Sequence, residues 1–300
     1  WAIYHRHNMK NDFTHNVHKP CVHYSWVRPV YTQGSFILKP GFLYSKQSIP
    51  AYLCPTCVKG KMLPDLENCL CRQTGESVLL SKLDYWEESF HKEMLRVDLS
   101  CTNGDCKEIG VLILEGELYA PDEHQPEAEV LFTPIYINPA PQLFPLEAEY
   151  PDDIRKIAQE AFSLFWNDPA SCGNKIRVGV EALLNDQGVE KERKDKNGIA
   201  MLSKKGRPKP IMLHNRLELF KNISAASASA LESIKWLGNE SSHSGALIHQ
   251  SVVYKAVMIF GSVLAHLYSN QPIEKEINYS IEHVNFWYHP DKQKSWPQKT

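Results

Sequence analysis

The sequence predicts an α+β fold in two parts: a cysteine-clasped β module, then an all-α helical bundle. Three observations carry this expectation. Two cysteine pairs lie in the first half, Cys54-Pro55-Thr56-Cys57 and Cys101-Thr102-Asn103-Gly104-Asp105-Cys106. The apolar run 111–114 beside the second pair has the character of a buried strand. From Pro151 onwards the apolar residues Ile154, Ile157, Ala161, Leu164 and Phe165 recur at helical spacing.

Taken in order, residues 1–50 form an N-terminal extension rich in His and aromatic residues, with a strand expected at 35–38. Residues 51–120 form the cysteine module, with strands expected at 94–99 and 109–118. Residues 121–150 carry Pro121, Pro126, Pro134, Pro139, Pro141 and Pro145 and read as an extended connector, since proline suits neither helix nor central strand. Residues 151–270 form the bundle, of about five helices. Asp152 and Asp153 sit at the favourable end of the first helix dipole, and Asn167-Asp168-Pro169 ends that helix. Ser171 is placed to cap a second helix and Gly188 to terminate it. A polar, charged loop covers 189–210, helical segments follow near 213–223 and 226–237, and a last helix covers 251–268. Residues 271–300 read as an accessory tail.

The chain has 300 residues, 43% of them hydrophobic, which is enough for packed cores and too many for a disordered chain. The net charge is −2, so the whole-molecule field selects no partner. The distribution is more informative: residues 84–149 are strongly acidic and lie between two mildly basic flanks. Residues 1–20 show no apolar signal core, and the most apolar run, 256–265, is too short to span a bilayer. A cytoplasmic protein without a membrane partner is expected. In a reducing compartment, paired cysteines are metal ligands more often than disulfides.

Zn²⁺ takes four thiolates in a tetrahedron, and two short turns brought together by strands supply them. Cys54, Cys57, Cys101 and Cys106 are therefore the expected ligands of a zinc ribbon. Four cysteines leave no open coordination position, so the ion would be structural. Cys69 and Cys71, inside the 43-residue insertion, can replace one pair, bind a second ion with His91, or stand as bystanders. Cys21 with His23 is a weaker pair, and Cys172 lies at a helix start, where a thiolate can be stabilised but an ordinary capping-region residue is the leading reading.

In the helical half, residues 151–166, Asn174-Lys175-Ile176-Arg177 with Glu181, and Ile234-Lys235-Trp236-Leu237-Gly238-Asn239-Glu240-Ser241-Ser242-His243 follow one another in an order that resembles the domain of unknown function 4145 family. The ribbon and Tyr136-Ile137-Asn138-Pro139 are similar to its longer members, and the resemblance covers about residues 50–270. It implies a HEPN-like helical bundle and an association with bacterial restriction and phage defence, with a defence-system partner protein or a homodimer as company. Active HEPN ribonucleases carry an Arg, a polar residue and a His, brought together at a dimer interface. Here Lys235 stands where the Arg is expected, while Asn239 and His243 remain. Lysine keeps the charge but lacks the planar fork. The implied chemistry is a metal-independent endoribonuclease in which His243 moves the proton, Lys235 stabilises transition-state charge and Asn239 orients the phosphate. The alternative is a turn at Gly238-Asn239 with a structural His243.

Lys204, Lys205, Arg207 and Lys209 close a basic loop that begins at Lys191, and Lys205-Gly206-Arg207-Pro208 resembles a minor-groove hook. Such clusters neutralise phosphates, so RNA or DNA is an expected partner. Arg177 and Glu181, four apart, form an ion pair on one helix face or face the same polar centre as His243. The leading expectation is a nucleic-acid-associated or regulatory component of a defence system. Its rivals are the ribonuclease and a non-catalytic protein-interaction module that docks through the ribbon or the acidic segment.

Overall fold

A computed structural model describes residues 43–119, 128–243, 248–273 and 275–288. The strand expected at 35–38 and the pair Cys21 and His23 lie outside the described residues.

The first half is one antiparallel sheet of β1 (Tyr52–Leu53), β2 (Lys61–Pro64), β3 (Leu70–Gln73), β4 (Lys92–Cys101), β5 (Ile109–Tyr119) and β6 (Glu129–Asn138). The order is β1-β2-β4-β5-β6, with β3 also on β4. β2 pairs with one end of β4, from Met62↔Cys101 to Pro64↔Leu99, and β3 with the other, from Leu70↔Arg96 to Gln73↔Glu93. The Asp65 N–H donates to Asp98 O between them, so β2 and β3 act as one interrupted strand. Along β4, buried Leu95, Val97 and Leu99 alternate with exposed Arg96, Asp98 and Ser100, the period of a sheet with one covered face. β4 and β5 contain the two expected strands.

The expected connector at 121–150 needs correction, because its middle is the ten-residue strand β6. Pro134 fits there for two reasons. β6 is the last strand on its side of the sheet, and the register shifts from Ile113↔Tyr136 to Leu114↔Pro134, leaving Ile135 as a bulge. Beyond β6 the chain enters the core. Phe144 packs edge-on against Phe162 at 5.0 Å and meets Phe260 at 6.3 Å. Gly261 permits this approach, since a Cβ there would lie 2.6 Å from the Phe144 ring. The Tyr52 hydroxyl donates to Pro139 O at 2.7 Å and ties β1 to the same segment.

The second half contains α2 (Asp152–Phe165), α3 (Pro169–Asp186), α4 (Leu213–Phe220), α5 (Ala225–His243), α6 (Gln250–Ser269) and α7 (Lys275–Tyr288); α1 (Gly75–Leu80) lies earlier, inside the cysteine insertion. α3 packs against α2, α5 and α6, while α5 also meets α4 and α7. Two expectations change. Asp168, not Ser171, caps α3: its carboxylate accepts the Ser171 N–H at 3.0 Å and Pro169 opens the helix. The supposed tail continues as α7, which buries Ile277 and Val284. α6 is the one helix among the described residues long and apolar enough to cross a membrane, and half of that stretch is buried in the bundle.

Candidate metal centre and basic arm

The sheet register brings the two cysteine turns together. β2 begins just after the first turn and β4 ends in the second, and Met62↔Cys101 sets them side by side. The turns are built alike. Cys54 N–H donates to Gly60 O, and Cys101 N–H donates to Glu108 O. In each, the residue after the second cysteine adopts a left-handed backbone, Val58 at φ 53° and Lys107 at φ 52°. Lys61 and Thr102 then stitch turn to turn: the Lys61 N–H donates to Thr102 Oγ1, and the Thr102 N–H donates to Lys61 O.

Cys54, Cys57, Cys101 and Cys106 converge, with all four sulfurs within 4.8 Å of one another. Cys54 Sγ lies 3.9 Å from Cys106 Sγ, and Cys57 Sγ lies 3.7 Å from Cys101 Sγ. A Zn–S bond of about 2.3 Å in a tetrahedron gives sulfur–sulfur edges of about 3.8 Å, so the spacing fits such an ion. Backbone N–H groups of Gly60 and Asn103 donate to Cys57 Sγ at 3.3 Å and Cys101 Sγ at 3.4 Å. The Gly60 and Lys59 amides pull the Cys57 thiol down to about 6, whereas burial pushes Cys101 up to about 12. Four crowded thiols cannot all ionise unaided, and a divalent cation would supply the missing charge. Gly60 has no room for a side chain beside them: a Cβ would sit 2.5 Å from Cys101 Sγ and 2.8 Å from Asn103 N.

The other cysteines stand apart from this cluster. Cys71 Sγ donates to Glu93 Oε2 at 3.0 Å, and Glu93 Oε1 bonds His91 Nε2 at 2.9 Å. Cys69 Sγ donates to Leu66 O. Cys69, Cys71 and His91 thus replace neither pair. Cys172 is fully buried, and desolvation pushes its thiol up, the reverse of a stabilised thiolate.

The polar loop after α3 folds into a small arm. Its three ribs meet in a ring of hydrogen bonds: Arg193 N–H to Lys209 O, Lys209 N–H to Met201 O, and Met201 N–H to Arg193 O. Bridges pair Glu192 with Pro210, Lys194 with Ala200, and Leu202 with Pro208. Turns at Asp195–Gly198 and Ser203–Gly206 use Gly198 at φ 78° and Gly206 at φ 71°. Residues 205–208, the stretch that resembles a minor-groove hook, thus leave the second turn at Gly206 and run into the third rib. Residues 191–210 hold eight Lys and Arg against Glu192 and Asp195. All eight cations except Lys209, which is half-buried, are exposed. Buried Arg216 pins the base of the arm to the end of α3, donating to Glu190 O, Val189 O and Asn185 Oδ1. A cleft of 490 Å³ lies between arm and bundle, lined by Arg177, Glu181, Lys191, Glu192 and Arg216 among others.

The residues of the ribonuclease reading lie on one helix, since α5 runs through Lys235, Asn239 and His243. A helix rather than a turn thus occupies Gly238-Asn239. The side chains of Asn239 and His243 lie outside the described residues. Lys235 is 5% exposed, and its ammonium donates to His214 Nδ1 at 3.1 Å and Glu232 Oε1 at 3.5 Å. Burial draws Lys235 below its ordinary range, and Arg177 acts in the same direction, while Glu232 and Glu218 oppose. The Arg177–Glu181 pair is long, at 3.9 Å. Sequence reasoning missed His214, Glu218 and Glu232, which cluster around this lysine. The one available signal was the i,i+4 spacing of His214 and Glu218 on a helix.

Residues 159–283 match the family described as Domain of unknown function (DUF4145), which supports the placement of the helical half in that family. Residues 43–137 match a second, Domain of unknown function (DUF8608), and this stretch spans the whole cysteine module and nearly all of β6. No curated protein and no solved structure matches the chain.

Proposed function

We propose that the chain is a non-catalytic nucleic-acid-binding protein, with a structural zinc ion on Cys54, Cys57, Cys101 and Cys106 and a phosphate-contacting arm at 191–210. The observation that carries this reading is the arm: eight cations on a hydrogen-bonded scaffold, seven of them exposed, held to the bundle at its base. Cations on a backbone ordered in this way neutralise phosphates and release counterions with a smaller ordering cost than a flexible loop would carry. The zinc reading rests on an all-thiol donor set and sulfur spacings of tetrahedral size. Such an ion would hold the two turns together and leave no position for substrate. The Lys235 ammonium is already engaged by His214 and Glu232, which favours a structural role over a ribonuclease role. The family resemblance suggests bacterial defence as the setting for this activity.

The test is a variant with Lys204, Lys205, Arg207 and Lys209 all changed to Ala. Fluorescence anisotropy with labelled mixed-sequence oligonucleotides should show affinity falling more than tenfold, with metal content and thermal unfolding unchanged. Retained affinity in this variant contradicts the assignment.

A further inference from the structure

The arm carries a feature that phosphate neutralisation leaves unexplained. Ile199, Met201 and Leu202 are 64%, 40% and 57% exposed on its central rib, among the cations. Ile199 follows the turn glycine Gly198 and Leu202 precedes the turn at Ser203, so the two flank the rib at the ends where the chain reverses. Single exposed apolar residues are ordinary, but three within four positions of one rib make a local cluster, and clustered apolar surface marks contact sites. From the arm side, Lys191, Glu192, Pro208 and Pro210 line the cleft beneath it, and none of the three apolar residues does.

We infer that the arm enters the major groove of duplex DNA, its cations on the flanking phosphates and its apolar rib against the base edges. This rests on the nucleic-acid reading above and narrows it to one class of ligand. Three arguments select duplex DNA. Single strands are gripped mainly by stacking on aromatic rings, and residues 191–211 contain no Phe, Tyr, Trp or His. The A-form major groove of RNA is too deep and narrow for side chains to read. Two hairpins project from the ring, bridged at Lys194–Ala200 and at Leu202–Pro208, and the two strands of each lie about 4.8 Å apart, as in a two-stranded β-ribbon. The B-DNA major groove, about 12 Å wide, admits such an element, whereas the minor groove at about 6 Å does not. Apolar side chains contact thymine methyl groups there, which gives Ile199, Met201 and Leu202 a use.

The experiment compares the full chain on three probes of one mixed sequence: a DNA duplex of about two helical turns (~20 base pairs), its single strand, and the corresponding RNA duplex. Duplex DNA should bind at least tenfold more tightly than the other two. The variant Ile199→Ser with Leu202→Ser should lose several-fold in duplex affinity with an unchanged salt slope, because it removes apolar surface and no charge. Equal or tighter binding of single strands or RNA duplex overturns groove entry and leaves the nucleic-acid reading intact. Unchanged duplex affinity in the double variant also overturns groove entry. Failure to bind any of the three probes overturns the nucleic-acid reading itself.

Discussion

The cysteine turns and the basic arm are both loops that fold back on themselves, yet opposite forces hold them. In the turns, four sulfurs crowd around one point, amides of Gly60 and Asn103 aim at them, and Cys54 is fully buried. In the arm, backbone hydrogen bonds alone close the ring of Arg193, Met201 and Lys209, and nearly every side chain faces water. The first arrangement is complete in itself once it holds an ion. The second leaves charge and apolar surface uncovered, which makes it the better candidate for contact with a partner. Substitutions in the turns should therefore act on folding and metal content. Substitutions along the arm should act on binding and leave stability near its original value.

The largest effect expected is in the turns. Cys54→Ser should abolish stoichiometric zinc, and chelation of the wild-type chain should reproduce its loss of β structure while the helical signal persists, because binding to a structural site is linked to folding. Metal analysis and circular dichroism read both. Gly60→Ala comes next. Its Cβ meets Cys101 Sγ and the Asn103 backbone, so zinc affinity should fall by about 10–100-fold, the range seen when the groups that orient metal ligands are disturbed. Competition with a chelator measures this, and wild-type affinity would break the comparison.

At the arm's base, Arg216→Met should cost about 2 kcal/mol, since it strips charge-assisted bonds from Glu190 O, Val189 O and Asn185 Oδ1. Nucleic-acid affinity should weaken as the base loosens, whereas a purely structural arginine would lower stability alone. The smallest effect is Asp168→Ala, about 1 kcal/mol from loss of the α3 cap. The hydrogen bonds from Ser171 hold the Asp168 carboxyl below its ordinary value. Its contribution is therefore present above that ordinary value and is lost as pH falls through the lowered one. Acid unfolding of the variant should lack this component.

These contrasts also explain what could be read from the chain. The four clustered cysteines were legible because a shared metal site requires short local spacings within each pair, and β4 and β5 because Leu95, Val97, Leu112 and Leu114 alternate or run in the way buried strands require. β6 was hidden by Pro134, whose tolerance depends on the strand being last in the sheet and on a bulge at Ile135, facts that only pairing reveals. α7 was hidden by its polar surface, since few of its residues face the core. The arm read as a loop because each rib is short and charged, and its ring of hydrogen bonds joins residues far outside any local period. The His214–Lys235 contact spans 21 residues and two helices, so no local pattern announces it.

The central claim is that the arm's cations, and not the metal centre, meet nucleic acid. The most direct test is the salt dependence of duplex affinity for the wild-type chain and for the Lys204, Lys205, Arg207 and Lys209→Ala variant. Each phosphate left without its cation should lower the slope of log affinity against log salt by about one, so the variant's slope should be shallower by about three to four. An unchanged slope would contradict the account, because it would place the phosphate-binding cations elsewhere on the molecule.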